Sequence, residues 1–244
     1  WRGNVLIGHI NGGVARIGKT KAFDTIESGP LFGTHACAAA ADGAGDGRVI
    51  AVDVGGTTAK ASAVEDGRVL LKDSGDLFDI PLQLDMPLLR SIALGGGSVA
   101  RVVDGRVTLG PDSMGAAPGP ACYGLGGRNA TITDAFVVAG FLSPTAFLGG
   151  RRTLDVDRAR AALDKHVGSR LGVDVDSAAR AVVEAAWDAV AQLARETAEE
   201  AGWDPAEVTV YGFGGNGPLF VTAVADRLGA RSARLFRLGS VYSA

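Results

Sequence analysis

Short apolar runs separated by turn residues dominate residues 48–73 of the chain. The run "RVIAVDV" is followed by Gly-Gly and a second run, "AKASAV", and a third run, "RVLLKD", follows the turn "EDG". Runs of this length bounded by glycine and aspartate are typical of β-strands. The pattern therefore predicts a three-stranded β meander.

The spacing of apolar residues becomes helical after Thr153. An aspartate at the start of "DVDRARAALDKHVGSRLG" and a glycine at its end are typical helix boundaries. In the segment that follows, apolar residues recur at intervals that place them on one face of a helix of about 25 residues. These residues are Val182, Ala186, Ala189 and Leu193. The pattern predicts two consecutive helices.

The remaining segments complete the predicted architecture. Residues 95–130 contain the short strands "VARVV" and "RVTLG" and then a long loop rich in glycine and proline, which favours an ordered functional loop. Near the end, a strand "EVTVYGF" and a loop "GGNG" precede a helix from Pro218 to Gly229 and a strand "ARLFRL". This order predicts an α/β domain with a mixed sheet, a β meander and flanking helices.

Composition and charge exclude several classes of partner. The chain has 244 residues and a formal net charge of -3, and it has no run of lysine or arginine, so we expect neither nucleic acid nor a membrane as a partner. Its apolar runs, such as "AFVVAGFL", are shorter than the roughly 18 residues of a membrane-spanning helix. Cys37 and Cys122 form no CxxC pattern, so we expect neither a disulfide framework nor a zinc ribbon and assign the chain to the cytoplasm.

Two segments compete as the phosphate-binding site. The first, "GVARIGKT" at residues 13–20, has the glycine and lysine spacing of a phosphate loop. A phosphate loop must open a helix of ten or more residues, and residues 28–30, "SGP", are expected to end any helix that starts here. The sequence therefore favours a solvated surface lysine at Lys19.

The second segment, "DVGGTTAK", lies between two strands of the predicted meander. Asp53 ends an apolar strand, where it can face magnesium or its water. The backbone N–H groups and hydroxyls of the turn that follows can bind a phosphate. The turn residues are Gly55, Gly56, Thr57 and Thr58. An ordinary hairpin turn is the alternative.

A glycine loop near the end of the chain supports the second candidate. "VYGFGGNGPLF" reads as a strand, a loop and a helix N-terminus, an arrangement that can accept the phosphate or ribose of a nucleotide. The alternative is a close-packed strand-to-helix turn. Together, the hairpin and the loop suggest a lobe of an actin-like ATPase.

The chain resembles a known family at motifs that follow in the same order. The motifs are "INGGV", "ESGP", "DVGGTTAK", "GGGSVA", "GPDSMGAAPGPACYG", "TITDA", "FLGG" and "GFGGNGPL". They resemble the hydantoinase A and 5-oxoprolinase family, which includes acetone and acetophenone carboxylase subunits. The resemblance implies the fold of the actin, Hsp70 and sugar-kinase superfamily, with residues 1–244 as the second ATPase lobe, cut at both ends and without the N-terminal lobe.

The same resemblance implies ATP and Mg²⁺ as cofactors and assigns candidate residues. Asp53 would be a catalytic residue and metal ligand, and the turn residues 55–58 would bind phosphate. The nucleotide would be lined by Gly214, Gly215, Asn216 and Gly217. Asp134 in "TITDA" is a second catalytic candidate, with helix capping as its alternative. Cys122 is either a nucleophile or soft-metal ligand, or a buried structural thiol, which the absence of a neighbouring histidine favours.

For function, the resemblance implies ATP-dependent hydrolysis of a cyclic amide, such as 5-oxoproline or a hydantoin, through phosphorylation of the amide oxygen. A subunit of an ATP-dependent ketone carboxylase is the alternative within the family, and an actin-like ATPase switch or reactivating chaperone is the alternative outside it. The expected partners are a lactam, hydantoin or ketone substrate, the missing N-terminal lobe and a hydantoinase B-type subunit or domain.

Three residues depart from the family pattern and leave the identity of the substrate open. They are Lys60, where many relatives have Asp, and Trp203 and Phe220, where many have His.

Overall fold

The computed structural model describes residues 3–9, 12–25, 28–72, 75–77, 80–82 and 86–241. The chain forms two compact units. Unit 1 comprises Trp1–Asp53, Lys60–Ser91 and Leu193–Ala244, and unit 2 comprises Val54–Ala59 and Ile92–Gln192.

Fourteen strands and six α-helices lie in the described part of the chain. The strands are β1 (Leu6–Gly8), β2 (Val14–Arg16), β3 (Arg48–Val54), β4 (Ala59–Glu65), β5 (Arg68–Val69), β6 (Leu71–Lys72), β7 (Gly75–Leu77), β8 (Ile80–Leu82), β9 (Met86–Pro87), β10 (Leu89–Ile92), β11 (Ser98–Val103), β12 (Arg106–Ser113), β13 (Thr209–Phe213) and β14 (Ser232–Leu235). The helices are α1 (Ser28–Ala44), α2 (Ile132–Val138), α3 (Val156–Leu163), α4 (Ser169–Leu171), α5 (Val175–Glu200) and α6 (Val221–Leu228).

The main sheet of unit 1 has the strand order β10-β4-β3-β13-β14, with β5 paired to β4. Strand β13 runs parallel to both β3 and β14, whereas β5 runs antiparallel to β4. The sheet is therefore mixed, as the sequence predicted. Every residue of β13 is buried, which suits its mostly apolar sequence, and the hydroxyl groups of Thr209 and Ser232 form a hydrogen bond of 3.0 Å.

Helix α1 packs on this sheet through small side chains. Cys37, Ala38 and Ala41 form a buried cluster with side chains of β3, β4 and β13, including Tyr211 and Phe213. Small residues let the helix lie close to the strands. The packing holds the carboxyl end of β13 against α1.

Unit 2 combines the antiparallel β11–β12 hairpin with helices α2, α3 and most of α5. A buried cluster joins Cys122 to Val137 of α2 and Ala159 of α3. Phe136 of α2 also lies against Trp187 of α5, with ring centroids 6.2 Å apart. These contacts hold the long glycine-rich loop between β12 and α2 against the helices.

Most predicted elements are confirmed. The first two strands of the meander correspond to β3 and β4, but only the start of its third run, β5, pairs with β4. Leu71–Lys72 of that run form β6, which pairs with β9, and residue 73 lies outside the described residues. The two short strands correspond to β11 and β12, and the helix of about 25 residues to α5, which has 26. The predicted helix over residues 155–172 is interrupted by a π-helical turn at Asp164–Gly168, and the helix predicted from Pro218 begins as the 3-10 turn Gly217–Leu219. No helix in the described residues combines the length and apolar character needed to cross a bilayer.

One helix was not predicted. The "SGP" at residues 28–30 was expected to end any helix that starts near Lys19, and the 3-10 turn Ala22–Thr25 does end before it, but α1, a helix of 17 residues, begins at Ser28. Proline is tolerated in the first turn, where its missing N–H has no intrahelical partner to lose. The alanine-rich sequence that follows favours helix without an apolar period to reveal it.

Candidate functional site

Asp53 lies at the carboxyl end of β3, beside the carboxyl end of β13. The two strands are parallel, and Asp53 is the register partner of Phe213, the last residue of β13. The "GGNG" loop begins at the next residue, Gly214. Carboxyl ends of parallel strands form the edge at which open α/β sheets bind ligands. Two of the predicted site elements in unit 1 therefore come from adjacent strand ends.

Two features of its environment shift the pKa of the Asp53 carboxyl group in opposite directions. The residue is half-buried, and this burial raises the pKa of the carboxyl group, while the Lys60 ammonium lowers it. The neighbouring Cys37 thiol is fully buried, and burial followed by the Asp53 charge raises its pKa. A bound cation at Asp53 would favour the ionised carboxylate.

The turn between β3 and β4 belongs to unit 2, and three of its four residues are exposed. The N–H of Gly55 donates to the carbonyl of Thr58 at 3.0 Å, which closes the turn. Gly56, Thr57 and Thr58 are exposed. Among the residues that the structure describes, no backbone carbonyl accepts a hydrogen bond from the N–H groups of Gly56 or Thr57. Consecutive backbone N–H groups without a carbonyl partner are suited to bind an anion.

A second glycine segment of unit 2 braces this turn. The N–H of Gly96 donates to the carbonyl of Gly55 at 3.1 Å, and the N–H of Gly97 donates to the carbonyl of Gly56 at 2.7 Å. Gly95 has no room for a side chain, because a Cβ there would lie 2.5 Å from the nitrogen of Thr57. These glycines belong to one of the family motifs in the sequence, but no residue pattern predicted that they contact the turn.

Buried hydroxyl groups hold this bracing segment in turn. The backbone N–H and the hydroxyl of Thr133 both donate to the carbonyl of Gly96 at 2.8 Å. The Ser98 hydroxyl accepts from the N–H of Gly95 at 2.8 Å, and Ser98 is fully buried. Hydrogen bonds therefore connect the turn, through Gly96, to Thr133 of α2.

Asp134 acts within unit 2 as a structural acceptor. It is fully buried, and its carboxylate accepts hydrogen bonds from the N–H of Ala121, the N–H of Cys122, and both the N–H and the hydroxyl of Thr131. These bonds include a capping box at the start of α2. A carboxylate offers about four acceptor positions, so the observed bonds use its capacity. The capping alternative is present in the structure, and a catalytic function of Asp134 stays a prediction.

The "GGNG" loop of unit 1 is shaped by close backbone packing. Gly214 has φ +80°, a conformation that favours glycine, and its N–H donates to the carbonyl of Gly239 at 3.0 Å. The N–H of Gly217 donates to the carbonyl of Gly214 at 3.3 Å. Gly215 is exposed with open space around its Cα, and Asn216 is half-buried. The loop presents Gly215 to solvent directly after the buried strand.

The competing phosphate-loop candidate lacks the required geometry. Residues 14–16 form β2, and Lys19 ends the 3-10 turn Ile17–Lys19, where it is exposed. No α-helix begins at this lysine in the described segment 12–25. The match to the phosphate-loop spacing is therefore accidental.

Cys122 has the environment of a structural thiol. Its side chain is 1% exposed, and burial followed by the charge of Asp134 raises the pKa of the thiol. A protonated, buried thiol is a poor nucleophile and a poor metal ligand.

The described residues contain no cluster of three or more histidine, cysteine, aspartate or glutamate side chains that could hold a metal ion. Mg²⁺ that is bound with a nucleotide commonly takes one or two carboxylates and completes its shell with phosphate oxygens and water. Asp53 could supply the carboxylate.

Comparison with known proteins defines the class and then the family. A solved nucleotide-free structure of acetone carboxylase matches 98% of this chain with a TM-score of 0.89 and 26% identity, and the match covers 34% of that chain. The chain therefore has the actin-like ATPase fold, as the sequence predicted. It belongs to the hydantoinase/oxoprolinase family, whose model matches residues 2–244.

Two curated relatives of this chain are named for different reactions. The caprolactamase subunit alpha of Pseudomonas jessenii is 31% identical over 94% of this chain, and the acetophenone carboxylase gamma subunit of Aromatoleum aromaticum is 33% identical over 92%. The matches cover 34% and 31% of those relatives, so the chain spans about a third of their length.

Proposed function

We propose that this chain is the second ATPase lobe of an ATP-dependent enzyme that opens a cyclic amide. The observation that carries the proposal is the pairing of Asp53 with Phe213, which brings a half-buried carboxylate and the glycine loop to adjacent strand ends. ATP use is supported by the likeness to acetone carboxylase, an enzyme of ATP-dependent carboxylation.

Each candidate residue has a distinct function in this proposal. The N–H groups and hydroxyls of the turn at residues 55–58 bind phosphate oxygens. Asp53 binds Mg²⁺ directly or through water, and Mg²⁺ would supply charge neutralisation at the phosphates. The loop at residues 214–217 approaches the nucleotide with its backbone, and the Asn216 side chain makes a polar contact. Asp134 positions the segment at residues 121–122 and the start of α2.

The proposed reaction moves the γ-phosphoryl group of ATP to the oxygen of the amide. A first water then adds to the activated carbon and the C–N bond breaks, which frees the ring nitrogen as a protonated amine and leaves an acyl phosphate. A second water hydrolyses the acyl phosphate and releases inorganic phosphate, so that ATP, the lactam and two water molecules give ADP, phosphate and the ring-opened amino acid. The phosphoryl group is required because an unstrained amide is a poor electrophile. In such transfers, the protein contributes mainly positioning and charge stabilisation.

A ketone carboxylase subunit is the second candidate, favoured by the acetophenone carboxylase gamma subunit among the relatives. Both candidates use the same nucleotide elements of this chain.

Product analysis separates the two candidates. The protein from the complete reading frame, with its partner subunit, is incubated with MgATP and either a lactam or hydantoin, or a ketone with bicarbonate. Ring-opened product and ADP without bicarbonate support the amidase. Turnover that strictly requires ketone and bicarbonate would replace it by the carboxylase. ATPase activity that responds only to a protein partner would favour a switch or chaperone.

A further inference from the structure

The register between β3 and β4 is fixed by three contacts along the hairpin. They are the ion pair between Arg48 Nε and Glu65 Oε1 (3.8 Å) and the backbone hydrogen bonds from the N–H of Asp66 to the carbonyl of Gly47 (2.7 Å) and from the N–H of Gly55 to the carbonyl of Thr58 (3.0 Å). All three contacts give the same register between β3 and β4, and this register places Asp53 opposite Lys60. Opposite residues of an antiparallel pair lie on the same face of the sheet, with Cβ atoms about 5 Å apart.

This pair interrupts the buried interior of the two strands. The interior residues of β3 and β4 are otherwise buried, whereas Asp53 and Lys60 are half-buried. The other charged residues of the two strands, Arg48 and Glu65, form an ion pair at the far end of the hairpin and are half-buried as well. Asp53 and Lys60 are therefore the opposite-charge pair at the end of the hairpin where the turn begins.

The two charges suit the two halves of a metal–phosphate group. A carboxylate binds a divalent cation, and an ammonium group, with three donors and a flexible stem, binds phosphate oxygens. Because Lys60 lies opposite Asp53 on the same face of the hairpin, the two opposite charges attract each other. Once a cation occupies Asp53, the like charge of the cation repels the ammonium, and the phosphate oxygens become its better partner.

We propose that Lys60 is a phosphate-binding residue of the nucleotide site and that it exchanges partners: it pairs with Asp53 when the site is empty and with the terminal phosphates when nucleotide is bound. This inference rests on the proposed function. It has a specific consequence, because an ammonium group beside the turn lets the site bind the polyphosphate without a divalent metal. Asp53 opposes that metal-free binding, because its charge repels phosphate and competes for Lys60.

The experiment measures equilibrium binding of ATP and AMP by calorimetry, in excess EDTA and in excess Mg²⁺, with protein from the complete reading frame. The variants are Lys60→Met, Lys60→Arg and Asp53→Asn, with Lys19→Met as the matched control, because Lys19 is an exposed lysine of unit 1. Circular dichroism checks that each variant is folded.

We expect Lys60→Met to lose about tenfold in ATP affinity in EDTA, and AMP affinity to change by less than about twofold, because AMP lacks the terminal phosphates. Lys60→Arg should retain most of the ATP affinity, and Lys19→Met should match the wild-type protein. Asp53→Asn should bind ATP more tightly than wild type in EDTA and more weakly in Mg²⁺. This reversal tests the exchange of partners by Lys60 even if Lys60→Met does not fold.

Two results would overturn the inference and leave the nucleotide function intact: unchanged ATP affinity of folded Lys60→Met in EDTA, or an equal loss for ATP and AMP. Weaker ATP binding by Asp53→Asn under both conditions would also overturn the partner exchange. If the wild-type protein binds ATP under neither condition, the proposed function fails and this inference fails with it.

Discussion

Asp53 and Phe213 are register partners at the carboxyl ends of the parallel strands β3 and β13. This pairing brings together two parts of the chain that are 160 residues apart in the printed numbering. Phe213 is buried in the α1 contact, so the end of β13 is anchored where the glycine loop begins. The position of Asp53 relative to that loop therefore depends on the core of unit 1.

Gly95→Ala tests whether the shape of the β3–β4 turn matters for binding. The added Cβ would lie 2.5 Å from the nitrogen of Thr57 and 2.6 Å from the carbonyl carbon of Gly56, so the turn must shift. We expect MgATP affinity to fall about tenfold or more and stability to fall by about 1–3 kcal/mol. Calorimetry and urea denaturation measure the two effects.

Gly43→Ala is the control for that substitution. Gly43 lies within α1, it is exposed, and a Cβ there meets nothing within 4 Å. Alanine should raise stability by about 0.4–1 kcal/mol and leave MgATP affinity unchanged. Normal affinity in a folded Gly95→Ala protein would show that the bracing of the turn is irrelevant to nucleotide binding.

Gly215→Val tests the approach of the glycine loop to the nucleotide. Gly215 is exposed and has open space, so stability should stay within about 0.5 kcal/mol of wild type. If the backbone must lie against the nucleotide, the branched side chain should lower MgATP affinity about tenfold. Unchanged affinity by calorimetry would remove this loop from the proposed site.

Asp134→Asn separates a structural function from a catalytic one. The substitution removes the charge and directs an amide group at the N–H donors of Ala121, Cys122 and Thr131. We expect a loss of about 3 kcal/mol in the free energy of unfolding, and unchanged nucleotide affinity in the folded protein. Asp104→Asn is the control, since Asp104 is an exposed turn residue at φ +49°, which Asn also tolerates. Intact stability with lost turnover would instead support the catalytic assignment.

The buried thiols predict a loss of stability at alkaline pH. Burial raises the pKa of Cys37 and of Cys122 above the ordinary value of 9.0, so the unfolded chain ionises first as the pH rises. This contribution to stability is complete below about pH 9. It falls by about 1.4 kcal/mol per pH unit for each thiol between the unfolded and folded pKa values. Urea denaturation from pH 8 to 10.5 should show a shallower decline for Cys37→Ala than for wild type, and equal slopes would contradict the assignment.

Local patterns predicted the strands and helices whose residues have a regular period. The meander and α5 are examples, because their apolar spacing follows directly from the structure that they adopt. Helix α1 was not predicted because Gly29 and Pro30 are typical of a helix break. The helix tolerates Pro30 because this residue lies in its first turn.

The site was predictable to a lesser extent, for a physical reason. Asp53 and the two glycine loops carry local chemical signals. The contact of Gly95 with Thr57 and the pairing of Asp53 with Phe213 depend on tertiary packing, which leaves no periodic trace in the sequence. The saturation of the Asp134 carboxylate likewise depends on the fold of the residue 114–131 loop.

The most direct test of the account is MgATP binding by calorimetry on protein from the complete reading frame, comparing Asp53→Ala with Lys19→Ala. We expect Asp53→Ala to bind MgATP much more weakly than the wild-type protein in excess Mg²⁺, and Lys19→Ala to bind it like the wild-type protein. Loss of binding in Lys19→Ala with normal binding in Asp53→Ala would contradict it and place the nucleotide at residues 13–20.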